Sequence, residues 1–378
     1  MTIPDMSDLY PAPFPQDVPL APLQRLSLDK LLHHDPAEAE RLTEVCTDTG
    51  FFYLDMMDHP MGRKMWEDAC VAVRSGIDVL PRVPMAEKKA FKAPADIKVL
   101  DRGYQTGFVK PDGQPRDSEM FMVPAYEVFT KTPNNSFEPP AWLSQHMNSF
   151  QRAMVSGNRV ANTILSVLEQ NLQLSAGSFT DLHRLTDSSG DFLRVLRYPA
   201  AEADDGKPDN ARFPAHKDAV SIAMLFTWVG GLQIADPEAV HQAQGGPVPE
   251  ESWRWVQPLP GHAIVNLGEA MEIFSNQVLR SGLHRVVKAP GPQVAHDKYS
   301  VLLVVRPRDD TLMQSFQSPV IPQEEGEKHR ESEVMTSIEW GNSKIRRLQD
   351  HIDKTFTERS GKAFALDRSW KQGKVEAV

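Results

Sequence analysis

The sequence predicts a mainly β fold in which an eight-stranded jelly roll is flanked by helices. From about residue 192, short β-rich runs follow one another, and turn residues such as Gly230-Gly231 and Pro260-Gly261 separate many of them. This pattern is typical of a sandwich or barrel. Helical periodicity lies mainly upstream of these runs. The predicted strands of the jelly roll are Phe192–Tyr198, Ser221–Trp228, Leu232–Ala235, Trp253–Gln257, Ala263–Asn266, Met271–Phe274, Leu283–Val287 and Tyr299–Val305.

Short helices and strands are predicted before the jelly roll. A helix over Pro36–Thr49 has Asp35 as its N-cap and Gly50 just past its end, which are ordinary start and stop signals. The other predicted elements are a strand at Arg25–Asp29, a buried strand at Phe51–Leu54, helices at Pro60–Leu80 and Pro84–Phe91, a glycine-punctuated loop over Leu100–Phe108 and a strand at Met120–Val123.

One long helix is predicted over Ala141–Leu172, where apolar residues recur at spacings of three and four. A coiled-coil partner would also suit such a stripe. The small residues Gly157 and Ala161 favour close packing on a sheet, so we predict a core helix.

Composition narrows the class of function. Of 378 residues, 40% are hydrophobic, so the chain can bury a sizeable core. The net charge of −10 argues against nucleic acid or an anionic membrane as the main partner. Cys46 and Cys70 are predicted to be buried free thiols. The sequence has no secretory signal and no apolar run of the ~18 residues that span a membrane, so a soluble, cytoplasmic protein is expected.

The chain is predicted to form one integrated domain with four parts. Within the third part, the polar insert Asp236–Ser252 is predicted to be a long, mobile hairpin loop outside the barrel. In the fourth part, a helix is predicted over Ser337–Phe356. The four parts are 1–135 (helices and strands), 136–190 (the long helix and its connection), 191–310 (the jelly roll) and 311–378 (helix and tail).

A candidate metal site emerges from three residues. His216 and Asp218 are two residues apart, so on extended backbone their side chains lie on one face. His284 belongs to a distant predicted strand that the jelly roll brings alongside. Two imidazoles and a carboxylate are the facial ligand set of non-heme Fe(II) oxygenases, which leaves half of the octahedron open.

Nine segments along the chain form a combination that is specific, although each segment alone is not. The segments are Thr49–Leu54, Arg102–Tyr104, Asp117–Phe121, Leu193–Pro199, Phe213–Asp218, Val265–Gly268, Ser275–Asn276, Leu283–Val286 and Lys298–Ser300. In these segments and their order, the chain resembles the iron(II)- and 2-oxoglutarate-dependent dioxygenases of the isopenicillin N synthase-like type, from about residue 20 to about residue 310.

The resemblance implies a distorted double-stranded β-helix with Fe(II) at its mouth, and 2-oxoglutarate and O2 as co-substrates. It also implies that Tyr198 binds 2-oxoglutarate. Lys298 and Ser300 stand where the family usually has Arg-x-Ser. Lysine is a point charge, whereas arginine grips a carboxylate with two parallel bonds, so weaker or differently oriented binding is expected. Arg306, whose side chain is expected on the same face of the strand as Lys298, is the alternative residue to bind the carboxylate of 2-oxoglutarate.

Other roles are assigned by position. Tyr104, Phe108 and Phe213 are the candidates for contact with a small organic substrate, which would undergo hydroxylation, desaturation or ring formation. Asn266, Asn276 and Arg285 are expected to support the site. Three alternatives remain open at this stage: a same-fold oxidase that does not use 2-oxoglutarate, a binding protein without activity, and a zinc hydrolase with the same ligands.

Overall fold

Twelve strands form two sheets in the part of the chain that the structure describes. The structure is a computed structural model, and it describes residues 7–91, 102–106, 118–130, 137–200, 211–323 and 334–347. The strands are β1 (Arg25–Ser27), β2 (Phe51–Asp55), β3 (Gly103–Thr106), β4 (Glu119–Pro124), β5 (Phe192–Tyr198), β6 (Ala211–His216), β7 (Ile222–Thr227), β8 (Leu232–Ala235), β9 (Trp253–Trp255), β10 (His262–Leu267), β11 (His284–Val287) and β12 (Lys298–Val305).

The larger sheet has eight strands in the order β1-β2-β10-β7-β12-β5-β4-β3, and the smaller sheet has the order β6-β11-β8-β9. Except for the parallel pair β1–β2, neighbouring strands of the larger sheet pair antiparallel. Buried side chains from β2 and β10 of the larger sheet and β8 of the smaller one, including Phe51, Ile264 and Ile234, form one cluster. The two sheets therefore share an apolar interior, as a jelly roll requires.

Nine helices have complete bounds within the described residues, and residues 337–347 are also helical. The helices are α1 (Leu28–Leu32), α2 (Pro36–Asp48), α3 (Pro60–Val79), α4 (Met85–Ala90), α5 (Ala125–Phe129), α6 (Ala141–Ser144), α7 (Met147–Asn171), α8 (Pro237–Ala243) and α9 (Glu269–Phe274).

Helices α3 and α7 cover the outer face of the larger sheet at close range. A Cβ atom on Gly76 would come within 2.4 Å of Val195, and one on Gly157 within 2.4 Å of Leu303. This confirms the prediction that small residues bring the long helix close to a sheet. The helix is interrupted, however: α6 ends at Ser144 and α7 begins at Met147, because the backbone of His146 bonds to Leu143, three residues back, in a tight turn.

Three predictions of secondary structure were wrong. The predicted strand Met271–Phe274 is part of helix α9. Strand β6, over Ala211–His216, was not among the predicted strands. The insert is not wholly a loop, since it contains the exposed helix α8. Part of the predicted loop Leu100–Phe108 is strand β3, Arg102 before it is in a bend, and residues 100, 101, 107 and 108 lie outside the described residues.

Other predictions concern the core and the termini of the elements. Cys46 and Cys70 are buried free thiols, as predicted. The largest buried cluster includes residues from Leu9 to Trp340, which supports one integrated domain; the four-part division stays a prediction. Residues 348–356 of the predicted C-terminal helix lie outside the described residues. Among the helices that the structure describes, none combines the length and apolar character needed to cross a membrane.

Candidate active site

The two sheets bring His216, Asp218 and His284 together. His216 ends β6 and His284 begins β11, and the two residues are directly opposite in the antiparallel pair. Their ring centroids are 4.2 Å apart. Asp218 follows two residues after His216, where the chain turns toward β7. One potential ligand atom from each of the three residues lies within 4.8 Å of the other two.

Backbone carbonyls orient both imidazoles. Nδ1 of His216 lies 2.9 Å from the carbonyl oxygen of Pro214, and Nδ1 of His284 lies 3.1 Å from that of Gly282. A carbonyl only accepts, so each Nδ1 carries the proton and each Nε2 keeps its lone pair. The two Nε2 atoms face Asp218, at 3.4 Å from Oδ1 for His216 and 3.7 Å from Oδ2 for His284.

Asp218 is held on both its side chain and its backbone. Nδ2 of Asn266 donates to Oδ2 of Asp218 at 2.9 Å. The backbone N–H of Glu269, in the first turn of α9, donates to the carbonyl oxygen of Asp218 at 2.8 Å. Gly268 makes this approach possible, because a Cβ there would come within 2.1 Å of the carbonyl oxygen of Val220.

The charges of the three residues suit a metal ion. Burial alone would raise the pKa of Asp218, but the neighbouring His284 and His216 and the hydrogen bond from Asn266 hold it well below its usual range. Burial, with repulsion from His216, lowers the pKa of His284 to about 4. At neutral pH the site therefore offers a carboxylate and at least one neutral imidazole, which are the forms that bind metal.

The donor set fits Fe(II). Ligand atoms of this kind lie about 2.0–2.2 Å from a divalent transition metal, so two of them on one ion are at most about 4.4 Å apart. The distances of 3.4 and 3.7 Å from the two Nε2 atoms to the carboxylate oxygens of Asp218 are within this limit. Two imidazoles and one carboxylate on one side of the ion match the facial set of non-heme iron enzymes. The carbonyl partners of Nδ1 and the amide of Asn266 supply the outer hydrogen bonds that such ligands need.

A second polar group lies on the inner face of the larger sheet. Lys298 is directly opposite Tyr198 in the β12–β5 pair, and Ser300 is opposite Thr227 in the β12–β7 pair. Nζ of Lys298 donates to Oγ1 of Thr227 and to the carbonyl oxygen of Val229, both at 2.6 Å. Oγ of Ser300 donates to Oγ1 of Thr227 at 3.0 Å. Thr227, which the sequence did not single out, therefore joins the predicted residues.

The second group and Asn266, which bonds to Asp218, are at opposite ends of this inner face. Asn266 is opposite Ala223 of β7, whereas Ser300 is opposite Thr227, four residues along the same strand. Four residues of strand span about 13 Å. Burial lowers the pKa of Lys298 to about 7 and raises that of Tyr198 to about 12, so the tyrosine keeps its hydroxyl proton.

The structure brings only one of the three substrate candidates to the metal ligands. The ring of Phe213 packs edge-on against His216, with centroids 4.7 Å apart. Tyr104 instead lies on the helix-covered face of the sheet, where its hydroxyl donates to the buried carboxylate of Glu119 at 2.8 Å. Lys88 shares that carboxylate at 2.7 Å. Phe108 lies outside the described residues.

The remaining named residues make structural contacts. Asn276 donates to the carbonyl oxygen of Pro322 at 2.8 Å. Arg285 donates to Gln233 at 2.8 Å and its guanidinium lies over the ring of Trp253. Arg306 lies just past the end of β12, far from Lys298 at its start, and its backbone N–H donates to Asp191 at 2.6 Å.

Comparisons with known proteins show the family of this chain. The model of the 2OG-Fe(II) oxygenase superfamily matches residues 190–307. A 2-oxoglutarate-dependent dioxygenase of Aspergillus fumigatus is 44% identical over 362 residues, which cover 94% of this chain and 93% of that protein. The chain belongs to the 2OG-Fe(II) oxygenase superfamily. The family predicted from the sequence and its requirement for Fe(II), 2-oxoglutarate and O2 are thereby confirmed.

Two further proteins extend the comparison. A 2-oxoglutarate-dependent dioxygenase of Gibberella zeae is 27% identical over 303 residues, covering 78% of this chain and 82% of that protein. A full-length Neurospora crassa protein, solved in complex with alpha-KG and 5-formyluracil, has a TM-score of 0.67 at 20% identity, covering 89% of this chain and 98% of that chain. The structural match confirms the predicted jelly-roll fold.

Proposed function

We propose that His216, Asp218 and His284 bind the Fe(II) of this oxygenase, and that Lys298, Ser300 and Tyr198 hold the far carboxylate of 2-oxoglutarate. The reaction is the oxidation of a small organic molecule by hydroxylation, desaturation or ring formation, in specialised metabolism. The proposal rests above all on the convergence of the two Nε2 atoms and the carboxylate of Asp218 within 4.8 Å.

The protein's own residues would position and neutralise the reactants. Bound Fe(II) supplies O2 activation coupled to the oxidative decarboxylation of 2-oxoglutarate. Lys298 and Ser300 offer a cation and a hydroxyl at the end of the inner face away from the metal ligands. Between the two ends, Leu225 of β7 and Leu302 of β12 are opposite each other and give this part of the inner face an apolar surface.

Residue positions and relatives support a small substrate. Phe213 packs on a metal ligand and gives the mouth of the site an aromatic wall, which suits an organic molecule. The Neurospora crassa protein is solved with 5-formyluracil, itself a small molecule. The two dioxygenases compared above, from Aspergillus fumigatus and Gibberella zeae, both come from fungi, which is compatible with specialised metabolism. The cytoplasmic location stays a prediction.

Anaerobic Fe(II) titration followed by succinate detection after admission of O2 tests the assignment. His216→Ala, Asp218→Ala and His284→Ala should each abolish Fe(II) binding or turnover while the far-ultraviolet circular dichroism stays unchanged. Asp218→Glu should also fail, because the extra methylene displaces the carboxylate. The matched control is His241→Ala on the exposed helix α8, which should retain wild-type binding and turnover.

Two outcomes contradict the assignment. Full activity in any of the three alanine variants would show that the substituted residue is not needed as a ligand. Loss of Fe(II) binding in His241→Ala would show that the assay does not report on the proposed site.

A further inference from the structure

An arginine projects onto the inner face of the larger sheet between the two polar groups. Arg194 is in β5, two residues from Phe192 and four from Tyr198, so all three side chains are on the same face. Its neighbours across the sheet are Leu302 on β12 and Met122 on β4. A guanidinium at this position is surrounded by apolar side chains and needs an explanation.

The described contacts of Arg194 leave its charge uncompensated. One terminal nitrogen lies 3.1 Å from Sδ of Met122, a weak acceptor, and the guanidinium is stacked over the ring of Phe192 at 4.5 Å. Nε is buried and has no hydrogen-bond partner. No carboxylate among the described residues forms an ion pair with Arg194. The side chain is only partly buried as a whole, so an incoming molecule can reach it.

The electrostatics point to an anionic ligand. Burial, together with the nearby charge of Arg306, lowers the pKa of Arg194 to about 10, so the group is still charged at neutral pH. Asp218 attracts it at longer range, but that carboxylate is a proposed metal ligand and its charge is shared with the ion. A carboxylate that accepts two parallel hydrogen bonds is the ligand for which a guanidinium is shaped.

Two carboxylates could reach this region, that of 2-oxoglutarate and that of a substrate. In the proposed function, Lys298 and Ser300 at the other end of the sheet bind the carboxylate of 2-oxoglutarate that is remote from its keto group. The carboxylate next to the keto group would be held by the metal. The guanidinium of Arg194 folds back over Phe192, toward the end of the sheet near Asp218. A substrate carboxylate is therefore the better match.

The side chains around Arg194 indicate that the rest of the ligand is apolar. Phe192, Met122, Val220, Ala223 and Val304 form a separate buried apolar cluster with Leu302 packed against it. Val220 is two residues after Asp218, so this cluster adjoins the metal ligands. A molecule bound here would place an apolar body against the partly exposed Leu302 and one anionic group on Arg194.

We propose that Arg194 is a substrate-binding residue and that the enzyme acts on an apolar carboxylic acid whose carboxylate pairs with the Arg194 guanidinium. This inference rests on the proposed function, since it places the substrate beside the proposed iron site. It makes Arg194 the residue that selects acids over their neutral analogues.

Calorimetric titration with matched pairs of ligands tests the proposal. The probes are phenylacetate, cinnamate, 4-phenylbutyrate and octanoate, each compared with its primary amide, added to the anaerobic complex with Fe(II) and 2-oxoglutarate. In the wild-type protein, at least one acid should bind roughly ten- to a hundredfold more tightly than its amide, the effect of one charge-assisted hydrogen-bonded pair. Arg194→Gln should abolish this preference, and Arg194→Lys should retain part of it.

Controls separate binding from folding and from net charge. Arg184→Gln removes an exposed arginine that pairs with Asp181 on the surface and should leave the preference unchanged. The midpoint of 2-oxoglutarate titration should be the same in Arg194→Gln as in the wild type, which also shows that the variant is folded. The acid and amide titrations are repeated without Fe(II) and 2-oxoglutarate. They then measure the contribution of Arg194 to acid binding even if the protein fails to bind the co-substrate.

The contrary results are distinct. If no acid binds more tightly than its amide, or if Arg194→Gln keeps the preference, the proposal is overturned. If Arg194→Gln weakens 2-oxoglutarate binding and leaves the probes unaffected, Arg194 serves the co-substrate and the proposal is again overturned. Failure of the wild-type protein to bind 2-oxoglutarate would instead contradict the proposed function.

Discussion

Nζ of Lys298 lies 2.6 Å from the hydroxyl oxygen of Thr227, which is also 3.0 Å from Oγ of Ser300. The lysine donates a second hydrogen bond to the carbonyl oxygen of Val229. An ammonium group has three donors, so one remains for a ligand carboxylate. The strand ends thus hold a lysine in a fixed position where the family usually has an arginine, and Thr227 compensates for the rotational freedom of the lysine.

Loss of this cation should weaken 2-oxoglutarate binding specifically. Lys298→Ala is expected to raise the dissociation constant roughly ten- to a hundredfold, since a charge-assisted hydrogen bond contributes about 1.5–3 kcal/mol. Iron affinity should change little, because Lys298 and the metal ligands are at opposite ends of the inner face. The measurement is oxoglutarate titration of the Fe(II) charge-transfer band without oxygen.

Two further variants complete that titration. Lys298→Arg should retain activity, because the charge is kept. Lys64→Ala, which removes a half-exposed lysine from α3, should leave the midpoint unchanged. An unchanged midpoint in Lys298→Ala would place the anchor of the 2-oxoglutarate carboxylate elsewhere, with Arg306 the next residue to test.

The low pKa of Lys298 should make 2-oxoglutarate binding depend on pH. Below about pH 7 the free protein already carries the ammonium; above it, binding must first recover a proton, so the dissociation constant should rise by up to about tenfold per pH unit. Lys298→Arg should show no such rise, because arginine stays protonated throughout this range. Titrations at pH 6.5, 7.5 and 8.5 compare the two proteins, and equal slopes would contradict the prediction.

Tight packing against the Asp218 loop should make Gly268 irreplaceable. A Cβ on Gly268 would lie 2.1 Å from the carbonyl oxygen of Val220 and 2.8 Å from that of Asp218. Both contacts are with backbone atoms, which cannot move away without a large cost in free energy. Gly268→Ala is expected to lower the free energy of unfolding by about 1–3 kcal/mol and to weaken Fe(II) binding, because the ligand itself is displaced. Thermal unfolding and anaerobic Fe(II) titration measure the two effects.

Gly341 provides the matched control for that substitution. It lies in the helical segment 337–347, and a Cβ there would meet no atom within 4 Å. Gly341→Ala should stabilise the protein by about 0.5–1 kcal/mol, since alanine loses less backbone freedom in a helix than glycine. Equal effects of the two substitutions would show that the contacts of Gly268 do not matter.

The sequence contained enough signal to predict that His216, Asp218 and His284 come together, and to predict most of the strands. His216 and Asp218 are two residues apart, and extended backbone puts side chains at this spacing on one face. This inference does not depend on the correct prediction of other elements. The β6 segment was missed because it contains Pro214, and proline argues against a strand. The structure puts β6 at the edge of the smaller sheet, where a missing N–H costs little.

Other errors have equally local causes. Met271–Phe274 is a short apolar run, for which periodicity cannot separate strand from helix; its buried residues Ala270, Met271 and Phe274 have helical spacing. The helix in the insert had a visible signal, since Asp236 caps it and Pro237 follows at the first position. Thr227 had none, because its role depends on register with β12, which no local pattern encodes.

Asn266 gives the sharpest test of how the metal ligands are supported. Its Nδ2 donates to Oδ2 of Asp218, the oxygen that faces Nε2 of His284. Asn266→Ala should reduce Fe(II) affinity by about 10–100-fold, the usual effect of removing a partner of a metal ligand, while Lys298-dependent binding of 2-oxoglutarate is retained at saturating iron. Asn276→Ala, which removes an amide bonded to Pro322 instead, is the control and should leave iron affinity unchanged. Wild-type iron affinity in Asn266→Ala would mean that the backbone contact from Glu269 alone is sufficient to orient Asp218.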